Sequence, residues 1–171
     1  ITSKQSHTFR TDTAPIQSLF STDAIGTISQ QVEHTALVRY KDHQLPCRVL
    51  GVDSLFTRTA HIDSVITDGF YSVYDGAFER AVLGRGLAAQ IGINAHFTGA
   101  LHLYAPKRIG KINMLRPDQS LEHEHAFIAG TFAINQVDYD DQLMLISLPL
   151  AQRLFGFDNQ TVTALRIQPA D

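Results

Sequence analysis

Between residues 26 and 41 the apolar side chains of Ile28, Val32, Ala36 and Val38 fall on alternate positions, with polar Ser29, Gln31, Glu33 and Arg39 between them. A period of two is the signature of a half-buried strand. The polar run Lys41, Asp42, His43, Gln44 then reads as a turn, and residues 45–52 are again apolar and partly β-branched, which predicts an antiparallel hairpin. Pro46 has no N–H to give to a ladder and places the second strand near an edge. Further strands are predicted at residues 81–83, 100–104, 126–134, 143–146 and 161–167.

Helical signals are few and short. Residues 14–20 follow Thr13 as an N-cap and carry Pro15 near the start; residues 86–91 are closed by Gly92; residues 149–155 have Pro149 in the first turn, Arg153 near the end and Gly156 as a stop. Two strand-helix-strand units emerge: a strand at 1–9, helix 14–20 and the strand from Gly26, and strand 143–146, helix 149–155 and strand 161–167. Their connections are long enough for right-handed crossovers with parallel flanking strands. The predicted class is α+β: a split pair of βαβ units with short helices. Residues 1–44 and 131–171 form one subdomain, and residues 45–130 an inserted β-rich one. A single continuous sheet also agrees with the periodicity.

Composition narrows the function classes. The 171 residues are 44% hydrophobic and 18% charged with a formal net charge of -3, which is neither a disordered chain nor a globally basic nucleic-acid binder. The longest uncharged stretch, 86–106, is long enough to cross a bilayer but carries Gln90, Asn94, His96 and His102, so no segment reads as a membrane span. The chain opens on Ile1 with neither Met nor a leader pattern, as a piece of a longer or processed polypeptide would. Charge is uneven. From Arg80 to Pro117 there is no acid, while Arg80, Arg85, Lys107, Arg108, Lys111 and Arg116 give +6, leaving -9 elsewhere. This basic stretch is either a solvated loop surface or a docking surface for an acidic partner.

Motifs for chemistry are weak. Gly84-Arg85-Gly86-Leu87-Ala88-Ala89 matches the dinucleotide-binding G-x-G-x-x-A after an apolar strand, but no acid stands near the position that would hold a ribose. A tight strand-to-helix turn with close backbone approach accounts for these glycines without a ligand. Gly110-Lys111 lacks the first Gly and the Ser or Thr of a P-loop. His123 and His125 share one face of a strand and can reach one metal ion, with no third ligand in view. Asp138, Asp140 and Asp141 lack the Gly and Glu of a calcium loop, and the lone Cys47 has no nearby device to activate it. We therefore expect no catalytic residue, cofactor or metal. A small nucleotide- or metal-binding enzyme, or an extracytoplasmic protein-binding module without transport, are the alternatives.

Residues 104–124 form a long, turn-rich connection between two strands. Ile109, Ile112, Met114 and Leu115 among Lys107, Arg108, Lys111 and Arg116 make an apolar tip with a basic rim, the pattern of a recognition arm. The same four apolar side chains can equally fold back over the sheet.

Blocks spread along the chain carry a family resemblance through their order and spacing. They are Leu37-Val38-Arg39-Tyr40, Val49-Leu50-Gly51-Val52-Asp53, Ile66-Thr67-Asp68-Gly69-Phe70 and Ala81-Val82-Leu83-Gly84-Arg85-Gly86-Leu87-Ala88. Leu101-His102-Leu103-Tyr104-Ala105-Pro106, Ala129-Gly130-Thr131-Phe132 and Leu148-Pro149-Leu150-Ala151-Gln152-Arg153-Leu154-Phe155 continue the series. Together they resemble the extracytoplasmic domain of ABC-transporter permeases of the lipoprotein-releasing, macrolide-export and cell-division type, most closely the lipoprotein-releasing permeases of Bacteroides-like bacteria. The resemblance implies a non-enzymatic domain on the periplasmic side of the inner membrane, with a porter-like pair of βαβ units and an inserted β-rich subdomain. It also implies flanking membrane helices, a separate cytoplasmic ATPase and a second permease subunit. It further implies coupling of ATP-driven motion to lipoprotein release or export, and a carrier or lipoprotein cargo met by the 106–117 arm.

Overall fold

In the computed structural model the described residues are 1–3, 7–93, 99–108 and 115–170. The spine is β2 (Ile25–Tyr40), which turns through Lys41 and Asp42 into β3 (His43–Val52). Lys41 has φ +52, the sign that two-residue hairpin turns demand. β2 is long enough to hold two different strands on its other edge: β10 (Ala164–Pro169) along its first half and β6 (Ala100–Pro106) near its end. β3 pairs in parallel with β8 (Leu143–Ser147), which pairs with β5 (Arg80–Gly84). β5 pairs in parallel with β7 (Leu121–Phe132), and β7 pairs with β6. Since β6 also pairs with β2, the six strands β2, β3, β8, β5, β7 and β6 close into a ring.

Closure decides where the core lies. Alternate side chains point inward, among them Val32, Val38, Val49, Leu83, Leu101, Leu103, Met144 and Ile146. They meet Leu87 of α3 (Arg85–Gln90) and Leu150, Ala151 and Leu154 of α5 (Leu148–Leu154). α5 touches β2, β3, β6, β7 and β8 and so seals the ring. On the outer face, Val82, Phe132, Leu143 and Leu145 form a second core under Phe56 of α2 (Phe56–Ala60) and Ile62 of a 3-10 turn, Ile62–Val65. β8, apolar on both sides, is buried throughout, which is why it reads as an unbroken hydrophobic run.

The ends of α5 follow from its sequence. The Ser147 hydroxyl accepts a hydrogen bond from the Leu150 N–H at 3.2 Å, and Gly156 leaves the helix with φ +66. α1 (Ala14–Phe20) spans the predicted residues, although Thr13 does not cap it with its side chain.

Several elements differ from the sequence pattern. β3 is internal, but Pro46 stands opposite Leu37 before pairing with β8 begins at Arg48, so its missing N–H faces no strand. The predicted strand at 1–9 shrinks to β1 (Phe9–Arg10), which pairs with β9 (Thr161–Val162) in a separate two-stranded sheet. The first strand-helix-strand unit therefore places only β2 in the ring. The second does run β8, α5, β10, and those two strands lie parallel with β3 and β2 between them. Strands from both sequence segments interleave in one ring and share its core, the continuous-sheet arrangement. β7 starts at Leu121 rather than 126. β4 (Ile66–Gly69), α2 and α4 (Val137–Asp140) have four or five residues each, too few for periodicity to mark them. Among the described residues no helix is long and apolar enough to cross a membrane.

Candidate docking site

The β6–β7 hairpin carries the proposed recognition arm. Pairing runs from Ala100 opposite Phe127 to Pro106 opposite Leu121, and the Lys107 N–H donates to the Ser120 carbonyl at 2.9 Å, carrying the ladder one step further. Lys107 and Arg108 leave on one side; Leu115 and Arg116 return on the other, where Leu115 is 92% exposed. Ile109, Lys111, Ile112 and Met114 lie outside the described residues. Arg108 is drawn into its own fold: its guanidinium stands over the Phe157 ring at 4.6 Å, and its stem reaches Gly156. It borders a groove of about 460 Å³ shared with His34, Thr35, Ala105, Phe155 and Phe157. Lys107, Arg108 and Arg116, the described basic residues of the arm's root, are all exposed, with Arg108 alone stacked on a ring.

Among the described residues no helix covers the outer face of the same hairpin. Arg39 lies over Tyr104 at 5.4 Å, Tyr104 stacks on His123 at 4.7 Å, and the His123 and His102 rings meet end to end with centroids 5.2 Å apart. His102 Nδ1 and His123 Nε2 are 2.9 Å apart. Partial burial, with His123, Arg39 and His125 nearby, holds His102 below the usual imidazole range. The sequence pairs His123 with His125; the structure brings His123 to His102, while His125 meets the Phe127 ring edge-on. Among the described residues no three His, Cys, Asp or Glu side chains are placed to hold a metal.

A second concavity, about 720 Å³, lies between the loop 70–79 and the start of α5, lined in part by Asp53, Tyr71, Tyr74, Glu79, Ser147 and Arg153. Its acids are engaged. Asp53 accepts from the Ser29 hydroxyl at 2.7 Å and from the N–H groups of Gln30 and Leu55. Glu79 accepts from the Ser147 hydroxyl at 2.7 Å and from Arg153 at 3.0 Å, and Arg153 also reaches Glu124. Phe70, Tyr74 and Phe78 in this loop are each more than half exposed. Sequence reasoning passed over them, although Phe70, Tyr71, Tyr74 and Phe78 within nine residues, punctuated by Gly76, are a readable signal of a surface aromatic cluster.

The glycines of the G-x-G-x-x-A stretch serve packing. A Cβ on Gly84 would lie 2.3 Å from the Asp140 carbonyl oxygen, and one on Gly86 would lie 1.8 Å from the Asp141 carboxylate. Gln90 donates to the Asp141 carbonyl, so α4 occupies the space above the turn. Cys47 is 3% exposed, and burial pushes its thiol up to about 12, so it is no nucleophile.

No family model matches the sequence, and no curated protein is similar to it in sequence. Solved structures are similar in fold. The extracellular domain of the ABC-type transporter YknZ from Gram-positive bacteria has a TM-score of 0.64 at 10% identity, covering 98% of this chain and 76% of that one. The periplasmic region of MacB from Actinobacillus actinomycetemcomitans has a TM-score of 0.61 at 7% identity, covering 91% of this chain and 63% of that one. A domain assigned to a permease protein of Porphyromonas gingivalis has 0.50 at 15% identity, covering 86% and 58%. The chain thus has the fold of the extracytoplasmic domains of ABC-type transporters.

Proposed function

We propose that this chain is the extracytoplasmic domain of an ABC-transporter permease subunit, serving lipoprotein release or a related export process. One observation carries the reading: its fold is similar to that of such domains over 98% of its length. The ordered sequence blocks that resemble lipoprotein-releasing permeases support it. In this reading membrane helices flank the domain, which stands on the periplasmic side of the inner membrane beside a second permease subunit. A separate cytoplasmic ATPase supplies the work, and the domain relays the resulting motion as a relatively stiff body. Residues 45–130, inserted between the segments 1–44 and 131–171, carry the arm to the outside of the ring. A carrier or lipoprotein cargo docks there through Lys107, Arg108, Ile109, Lys111, Ile112, Met114, Leu115 and Arg116.

Placement and docking are tested separately in the full-length permease. A cysteine at Leu115 reacts with a membrane-impermeant maleimide in cells whose outer membrane alone is opened, with little background from buried Cys47. Labelling only after lysis overturns the extracytoplasmic placement. A photo-crosslinker at Leu115 or Arg116 captures a periplasmic protein in wild-type cells, and Lys107→Glu with Arg116→Glu reduces capture. Failure to capture any protein ends the docking proposal and leaves the placement standing.

A further inference from the structure

We propose that the cavity between the loop 70–79 and the start of α5 is a binding site for an organic onium ion, a quaternary ammonium or phosphonium centre on an apolar body. The carrying observation is a surplus of negative charge beside aromatic walls. The cavity, about 720 Å³, has the size of a small-molecule site and is lined by Tyr71 and Tyr74 together with apolar Val73, Leu148 and Pro149. Asp53 and Glu79 line it as well. Asp53 takes its hydrogen bonds from the neutral Ser29 hydroxyl and the Gln30 and Leu55 N–H groups, and among the described residues it makes no ion pair. Glu79 shares the one guanidinium of Arg153 with Glu124. Among these four groups three carboxylates stand against one cation. Tyr71 feels that field: burial first, and then the charges of Asp63 and Asp53, push its phenol above the usual range.

Hydrogen bonding selects the kind of cation. Asp53 already has three of its roughly four lone-pair positions filled, and Glu79 accepts from both Ser147 and Arg153. Their charge remains, but few acceptor positions do. A primary ammonium brings three N–H donors that each need an acceptor, whereas an onium centre brings none and is held by the field and by aromatic faces. The site therefore favours a diffuse cation over a lysine-like one. Val73, Leu148 and Pro149 receive its apolar body, so charge and greasy surface are met in one cavity. This inference does not rest on the transport reading.

The test is a titration of benzyltrimethylammonium chloride into this chain labelled with ¹⁵N, followed in ¹H–¹⁵N correlation spectra. Benzylammonium, which has the charge and the N–H donors, and benzyl alcohol, which has no charge, are the comparators. The expected result is saturable binding at one site, with shifts concentrated at Asp53, in the loop 70–79 and at the start of α5. Benzylammonium should bind at least about threefold more weakly, and benzyl alcohol at least about tenfold more weakly. Tyr74→Ala, which removes an exposed ring, should weaken the onium ion roughly fivefold. Ser54 is exposed and lines the same cavity, so Ser54→Lys should weaken it roughly tenfold more than Ser54→Gln, which adds similar bulk without charge. Unchanged spectra away from the cavity show that each variant is folded. No saturable shift in the parent chain overturns the site, and so does unchanged affinity in both Tyr74→Ala and Ser54→Lys. Equal binding of benzyl alcohol overturns the role of charge. Equal or tighter binding of benzylammonium overturns the onium assignment in favour of a partner's lysine side chain.

Discussion

Gly51 offers the sharpest test of how α5 is seated. A methyl group placed there would lie 2.2 Å from the Ala151 Cβ, against about 3.5–4.0 Å for carbon atoms in contact. α5 would have to retreat by about 1.5 Å, and it cannot do so freely because it touches β2, β3, β6, β7 and β8 at once. We expect Gly51→Ala to cost about 3 kcal/mol, the upper part of the range for overpacked cores. In a chain of this size that lowers Tm by about 6–12 °C. Ala151→Gly alone loses a buried methyl and gains the helix penalty of glycine, about 2 kcal/mol together. If the clash is the cause, the double variant Gly51→Ala with Ala151→Gly moves the methyl across the same gap. It should then cost about 2 kcal/mol rather than the additive 5, a coupling of about 3 kcal/mol. The Ser147 carbonyl at 3.3 Å and the Leu148 Cα at 3.4 Å stay close, which sets a floor on the recovery. Urea unfolding of the four proteins, followed by circular dichroism, measures the cycle. Additivity within about 0.5 kcal/mol would refute the argument that α5 is locked against β3 at this point.

Three further outcomes follow from single side chains. Ser147→Ala removes the α5 cap and one partner of Glu79 and should destabilise by about 1–2 kcal/mol, with Ser147→Thr recovering most of it in the same urea assay. Cys47 should react with a thiol reagent at pH 8 only as fast as the ring opens; a native rate matching that in urea would contradict its burial. Asp75 is held down to about 2 by the N–H groups of Phe78 and Ala77 and by Arg80. Its folded value is depressed, so its contribution is present above pH ~3.9 and is lost as pH falls through about 2. The amide signals of Ala77 and Phe78 should titrate with that midpoint and stop doing so in Asp75→Asn.

What could be read from sequence was what is decided locally. The alternation of Ile28, Val32, Ala36 and Val38 marks β2 because one face of that strand meets the core and the other meets solvent. Pro15, Gly92, Pro149 and Gly156 punctuate the three helices that were expected, since each acts on the backbone beside it. What escaped depends on partners far along the chain. β7 begins at Leu121 because β6 lies opposite, although Glu122, His123, Glu124 and His125 carry no apolar signal. The break at Thr163 arises where β9 turns to β1 while β10 follows β2. Nothing local says that β6 joins β2 as well as β7, yet that pairing alone closes the open sheet into a ring. The candidate sites divide the same way: the arm's basic rim stood out as a charge pattern, whereas His102 and His123, 21 residues apart, met only through the register of two strands.

The ring also explains how chains only 7–15% identical reach one fold. Closure asks for inward apolar residues on alternate positions and small residues at the few tight crossings, such as Gly51 under Ala151 and Gly130 beneath the Phe70 backbone. Many sequences meet those terms, because cores accept wide substitution when volume and pattern are kept. The outward positions of β6 and β7 are under no such demand; here they carry the stacked Tyr104 and His123 rings, with Phe78 edge-on to Phe127 nearby. A displacement imposed on β2 or β3 must pass through the closed ring to reach this hairpin, since β6 pairs directly with β2 and α5 packs on both sides. The interior therefore fixes the ring, and the outer face of β6 and β7 is left free of that constraint.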